Sequence, residues 1–145
     1  MYIKQLSVFI ENREGRLDDV LEILKTNNIN IISLSLADTA DYGMLRLIVN
    51  TSARALEALK NNGFSASLTD VTVVRMPHKI GQLQELASLL CKADINIEYM
   101  YSISIGQDDA CIVFKTSGKI EQFADQFKKD GVEFVTQNDI AAMVK

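Results

Sequence analysis

Residues 15–31 read GRLDDVLEILKTNNINI and residues 81–97 read GQLQELASLLCKADINI. The second stretch is the first shifted by 66 positions: Gly15 falls on Gly81, Leu17 on Leu83, Leu24 on Leu90, and Ile29-Asn30-Ile31 on Ile95-Asn96-Ile97. A Gly-x-Leu followed 12 residues later by Ile-Asn-Ile is more than scattered aliphatic chance, so it marks a duplication. The match extends outward. Val8 meets Val74, Ile10 meets Met76 and Val20 meets Leu86; after a one-residue deletion Thr51-Ser52 meets Thr116-Ser117, and further on Gly63 meets Gly131. The 145 residues, long enough for one ordinary domain, therefore divide into domain 1 at residues 1–69 and domain 2 at residues 70–145.

Each half predicts strand, helix, strand, strand, helix, strand. Leu6–Ile10 and Val71–Met76 are short apolar runs that suit buried strands. Leu17, Val20, Leu21 and Leu24 recur at helical spacing, as do Leu83, Leu86, Ala87 and Leu90. Residues 29–36 and 95–105 alternate as strands, Asp38–Gly43 and Gly106–Asp109 are the hairpin connections, and strands follow at 44–50 and 110–115. Ile120, Phe123, Ala124 and Phe127 form the stripe of a second helix, Ala55, Leu56 and Leu59 a shorter one, and final strands are expected at about 64–69 and 132–137. This order is an α+β plan of two ferredoxin-like βαββαβ units side by side, antiparallel sheets with helices on one face and the other face open. Thr69 and Asp70 alone separate the halves, so the units are expected to pack closely.

Composition removes several functions. Fifteen Lys and Arg against nineteen Asp and Glu give a net charge of −4, which disfavours a nucleic-acid groove or an anionic membrane surface. No apolar run approaches a membrane span and the N-terminus lacks a signal-peptide pattern, so a cytoplasmic location is expected. One histidine, His78, argues against a histidine-rich metal site and a catalytic triad. Cys91 and Cys111 lack metal-ligand spacing and are expected to be buried, inert thiols. Asp18-Asp19 and Asp108-Asp109 read as a helix first turn and a hairpin tip. No catalytic residue, metal or cofactor is expected.

Chemistry can sit at the first strand-to-helix junction, Glu11-Asn12-Arg13-Glu14-Gly15-Arg16-Leu17. A helix start offers unpaired N–H groups and the positive end of a dipole, and a glycine there lets a small carboxylate approach the backbone. The plainer alternative is that Gly15 makes a turn and Asn12 caps the helix.

That junction, together with the downstream Asn-Ile pairs Asn30-Ile31 and Asn96-Ile97, resembles the E-N-R-P-G-x-L loop and second strand of ACT domains, small regulatory modules that bind amino acids. It resembles in particular the serine-sensing domain of phosphoglycerate dehydrogenase, and the likeness covers residues 1 to about 140. It implies a free amino acid held between the two units, with Asn12, Asn30 and Asn96 matching the family's loop and strand asparagines. Ile10 stands where the serine-binding relatives have histidine and Glu14 replaces the usual proline, so the resemblance carries no serine specificity. The second loop, Met76-Pro77-His78-Lys79-Ile80-Gly81, keeps the glycine and puts His78 at the Asn12 position.

The expected ligand-binding set is therefore Asn12, Arg13, Glu14, Gly15, Arg16 and Leu17 with Asn96, and His78, Lys79, Ile80, Gly81, Gln82 and Leu83 with Asn30. Backbone N–H groups would take the carboxylate and neutral amide oxygens the ammonium. The expected function is a non-catalytic amino-acid sensor, a homodimer acting on a separate enzyme or transporter, with no nucleic-acid or membrane partner. A structural dimerisation module with degenerate loops is the alternative. An RNA-recognition module would need aromatics on its third strand, where Met44–Val49 and Ala110–Phe114 offer mainly aliphatics, and an acylphosphatase would need more than Arg13 beside Gly15. Tyr99, Met100 and Tyr101 either line a pocket or simply pack. Ile32, Leu34 and Leu36 correspond to Glu98, Met100 and Ser102, a mismatch of character on one strand face that alternation leaves unresolved and that a further subunit over the open face would explain.

Overall fold

The computed structural model describes residues 2–38, 41–77, 79–103 and 109–142. Contacts divide the chain into two units. The N-unit holds Lys4–Thr69 with the chain's last residues from Ile140, and the C-unit holds Asp70–Asp139 with the first residues through Ile3.

In the N-unit, strand β1 (Tyr2–Glu11) leads into helix α1 (Arg16–Thr26), then β2 (Ile31–Asp38), β3 (Tyr42–Val49), α2 (Ser52–Asn61) and the first stretch of β4 (Ser65–Pro77). β3 pairs antiparallel with both β1 and β2, and β4 neighbours β1 on its other side, giving the order 2-3-1-4. The Ser7 and Thr69 hydroxyls lie 3.3 Å apart across that neighbour. Leu6, Val8 and Ile10 alternate onto the helix side, where Leu45, Leu47, Val20, Leu24 and Leu59 complete a buried cluster. Fully burying each such aliphatic side chain contributes about 1.5–3 kcal/mol.

The C-unit repeats the order. The later stretch of β4 leads through α3 (Gln82–Lys92) to β5 (Ile97–Ile103), β6 (Asp109–Thr116), a 3₁₀ turn at Glu121–Phe123, α4 (Ala124–Lys129), β7 (Glu133–Phe134) and α5 (Gln137–Ala142). β6 pairs antiparallel with β4 and β5, and β7 pairs with β4. Its core joins Val74, Met76, Leu86, Leu90, Phe114, Ile120, Phe127 and Val132. The Phe127 and Phe134 rings are 5.4 Å apart.

Backbone bonds reproduce the duplication. Ile29 N–H donates to the Leu24 carbonyl and Ile95 N–H to the Leu90 carbonyl, both at 2.9 Å. The helix-ending residues Asn28 and Asp94 have φ of 57° and 58°, and Gly63 and Gly131 have φ of 85° and 78°. These two glycines close α2 and α4 in the left-handed conformation that a Cβ disfavours.

Several expectations need correction. Ile31 faces Val49 and Ile97 faces Thr116, so Val49-Asn50, not Thr51-Ser52, is the counterpart of Thr116-Ser117, and the second hairpin is longer by one residue. The strand-face mismatch is resolved at its first pair, Ile32 and Glu98, only. Register shifts occur at the same point in both halves, between Ile31 and Ser33 and between Ile97 and Tyr99, so Ile32 and Glu98 sit at an irregularity and leave the alternation. Beyond it Leu34 faces Leu47 and Met100 faces Phe114, so both halves turn the same positions to one face, where Leu34, Leu36 and Met100 are exposed and Leu36 and Ser102 still differ in character. Glu133–Phe134 is all that forms of the expected strand at 132–137. Chain beyond it turns helical because Thr136 and Asp139 cap each other: Thr136 N–H donates to Asp139 Oδ2 at 2.8 Å and Asp139 N–H to Thr136 Oγ1 at 3.2 Å. The second sheet face is not open in the C-unit, where Val71, Val73, Cys111 and Val113 are buried. Thr69 and Asp70 stand inside the continuous strand β4, not in a linker. Cys91 is exposed, one turn past the buried Leu86 and beside Leu90 on α3, whereas Cys111 is buried. His78, Gly106 and Asp108, with part of each expected hairpin connection, lie outside the described residues.

Candidate ligand-binding loops

Both strand-to-helix loops are built alike. Arg13 N–H donates to the Glu11 carbonyl at 2.8 Å and Lys79 N–H to the Pro77 carbonyl at 3.0 Å. Gly15 and Gly81 then occupy the cap positions with φ of 88° and 85°, and Asp19 and Glu85 N–H groups donate to their carbonyls at 2.9 and 3.0 Å. A Cβ at either glycine would meet no atom within 4 Å, so the requirement for glycine is one of conformation and not of space. Neither helix has a side-chain cap, which removes Asn12 as the capping residue of α1. Both helices thus present their first N–H groups at an exposed glycine.

The side chains around the two loops differ. In the N-unit Arg13 Nε donates to Glu11 Oε2 at 2.6 Å, and this guanidinium holds the Glu11 carboxyl below its usual range. Arg16 lies over the Phe64 ring, 4.3 Å from its centre, while its Nη1 contacts Asp19 Oδ2 at 3.1 Å. Burial has left Arg16 Nε without a hydrogen-bond partner, consistent with a guanidinium held by its stack. Asn12 N–H donates to the Asp41 carbonyl at 3.1 Å, and Asn12, Glu14 and Gly15 are exposed. In the C-unit Gln82, the counterpart of Arg16, is buried and its Nε2 donates to the Asp130 carbonyl at 3.4 Å. Lys79, Ile80, Gly81 and Leu83 are exposed.

The strand asparagines are equivalent too. Asn30 N–H donates to Asn50 Oδ1 at 3.0 Å, and Asn96 N–H to Ser117 Oγ at 3.1 Å. In return Asn50 N–H and Ser117 N–H donate to the Asn30 and Asn96 carbonyls at 3.2 and 3.0 Å. These reciprocal pairs fix the backbone of each asparagine without using its own amide. Asn50 and Ser117 were missed as positioning residues because the sequence alignment of the hairpins was off by two positions there.

Each asparagine borders a hollow between the end of the preceding helix and the start of the following strand. Asn30 shares one of about 420 Å³ with Leu21, Lys25 and Asn28; Asn96 shares one of about 430 Å³ with Ala87, Cys91 and Asp94. In the C-unit an adjoining apolar hollow of about 600 Å³ is lined by Lys79, Gly81, Leu83, Gln84 and Met100. Ala87 and Ile97 line both, so the two hollows adjoin along α3 and β5, one at the loop glycine and the other at Asn96. Met100 is therefore a wall residue, whereas Tyr99 and Tyr101 alternate to the opposite side of β5. Among the described residues no cluster of His, Cys, Asp or Glu could hold a metal ion, and no helix is long and apolar enough to cross a membrane.

Two βαββαβ units, each with a left-handed glycine opening its first helix and an asparagine entering its second strand, define a duplicated module of α+β class. The family model of the ACT domain pair matches residues 1–144, and the chain belongs to that family. Protein BT0572 from Bacteroides thetaiotaomicron is 36% identical, with a TM-score of 0.87 over 97% of this chain and 96% of that one. The ligand-free regulatory subunit of aspartate kinase from Thermus thermophilus shares the fold at 17% identity, with a TM-score of 0.59 over 88% of this chain and 89% of that one. The corresponding subunit from Thermus flavus is 14% identical, with a TM-score of 0.57 over 98% of this chain and 92% of that one. No curated protein matches the sequence.

Proposed function

We propose that this chain is a regulatory module that binds a free amino acid at its strand-to-helix loops and passes the occupancy to a separate enzyme or transporter. Residues Asn12–Leu17 and Lys79–Leu83, with His78, receive the ligand, and Asn30 and Asn96 supply further polar contacts. The observation that carries this reading is that each unit opens its first helix at an exposed left-handed glycine with no side-chain cap, and that in the C-unit this glycine lines an apolar hollow. The helix-start N–H groups suit an α-carboxylate and the apolar lining beside them suits a side chain, while the ammonium, on the same carbon as the carboxylate, takes an acceptor close to those N–H groups. Membership of a family of regulatory modules supports the absence of catalysis, and the regulatory subunit from Thermus thermophilus is a relative of the same fold. A homodimer located in the cytoplasm is part of the same proposal.

The test is a thermal-shift screen of the purified chain against the twenty amino acids. Ligand at 100 times its Kd stabilises the folded state by about 2.7 kcal/mol, a shift of several degrees for a chain of this size. At least one amino acid is expected to raise the Tm; failure of all twenty would favour the structural dimerisation module instead.

A further inference from the structure

We propose that the C-unit carries a second binding site, separate from the loops, for a small oxyanion at the segment Lys115-Thr116-Ser117-Gly118-Lys119. All five residues line one pocket of about 250 Å³, and Thr72, only 1% exposed, lines it with them. Thr116 is buried as well, so two buried hydroxyl-bearing side chains stand in the wall behind two lysines.

The hydrogen bonds leave this pocket rich in donors. Thr116 Oγ1 donates to the Gly118 carbonyl at 2.5 Å and so holds the turn between the lysines. Ser117 Oγ accepts the Asn96 N–H at 3.1 Å, which leaves the hydroxyl proton for a ligand. The Tyr2 hydroxyl is committed on both counts: it donates to Glu121 Oε2 at 3.1 Å and accepts the Ile120 N–H at 3.4 Å. Burial, with the Glu121 and Asp70 carboxylates nearby, raises its pKa and keeps it neutral. Asp70 is the carboxylate on the lining and is itself engaged. Among the described residues Lys115 and Lys119 form no ion pair, so the lining carries two ammonium groups against one occupied carboxylate.

Charge-assisted donors grouped around a recess select an anion. At about 250 Å³ the recess falls below the roughly 300–1,000 Å³ of sites for drug-sized molecules, so it suits a phosphate or a short carboxylic acid. Ser117 ties the pocket to the proposed loop site because its Oγ holds the Asn96 backbone in place. The N-unit has Asn50-Thr51-Ser52-Ala53 after its third strand, without lysine, so the site is a property of one unit.

Titration of the full chain with inorganic phosphate and, separately, with malonate at ionic strength held constant with chloride tests the proposal. Amide NMR reads binding at Ser117 and Asn96. Saturable shifts are expected with at least one ion, and Lys115→Met, Lys119→Met is expected to weaken the Kd at least tenfold. Phosphate alone would identify a phosphate-bearing ligand, and malonate alone a carboxylate. No saturable shift with either ion, or an unchanged Kd in Lys119→Met and in the double variant, overturns it. The double variant keeps its amino-acid response at the loops, so failure here and failure of the proposed function are separable.

Discussion

The two units keep the first half of the duplicated pattern and diverge in the second. From β1 through α1 to β2, and from β4 through α3 to β5, glycine caps and helix ends agree in φ to within a few degrees, and the strand entries repeat the same reciprocal hydrogen bonds. The second helix does not: α2 runs Ser52–Asn61, whereas the C-unit has a 3₁₀ turn and the six-residue α4. The geometry of the candidate loops is thus held constant while the supporting elements vary. Support is exchanged accordingly. Arg16 stacked on Phe64 in one unit becomes Gln82 bonded to the Asp130 carbonyl in the other.

The largest expected effect breaks the cores one at a time. Phe127→Ala removes the ring that fills the short-helix unit and should cost about 3–5 kcal/mol; Leu59→Ala in the N-unit should cost about 2–5 kcal/mol. Urea unfolding with a probe in each unit reads both, and a Phe127→Ala loss under 1 kcal/mol would contradict the packing described.

Next come the two cap glycines. Gly15→Ala and Gly81→Ala should each destabilise by about 1–2 kcal/mol through strain alone, since both sites have room for the methyl group. Equal losses by thermal unfolding would confirm that the loops are one design; a neutral result at either would show that the backbone there relaxes. A smaller effect separates the supports. Arg16→Gln gives up the stack on Phe64 and should cost about 0.5–1 kcal/mol. If the cost is the same in a Phe64→Leu background, the ring does not hold the guanidinium.

The smallest effect is acidic. Asp139 is held below its ordinary value of 3.8 by the Thr136 N–H and hydroxyl. Its folded pKa is depressed, so the capping contribution is present above 3.8 and lost as pH falls through the lower folded value. Helical shifts of Gln137–Ala142 should therefore weaken below that pH, and Asp139→Asn should remove this dependence.

Much of this was legible in the sequence. Gly63 and Gly131 announced helix-ending positions because no other residue occupies the left-handed region at so little cost, whereas Gly15 and Gly81 read as turn or ligand-approach positions and their role as caps came from the structure. The bulge at Ile32 was hidden, since an isoleucine beside Leu34 continues the alternation that the register shift interrupts. α5 was readable but passed over: Thr136-Gln137-Asn138-Asp139 carries the reciprocal cap in its spacing. For the candidate site, the loop residues could be read from the glycine, while Asn50 and Ser117 could not, because pairing across a hairpin depends on a register that local sequence leaves open.

Isothermal titration calorimetry with each of the twenty amino acids tests the central claim most directly. The account predicts saturable heat with at least one of them, and roughly tenfold weaker binding in Asn12→Ala, Asn96→Ala, the loss of about 1.4 kcal/mol of polar contact. Heat from none of the twenty, or an affinity unchanged in the double variant, would contradict it.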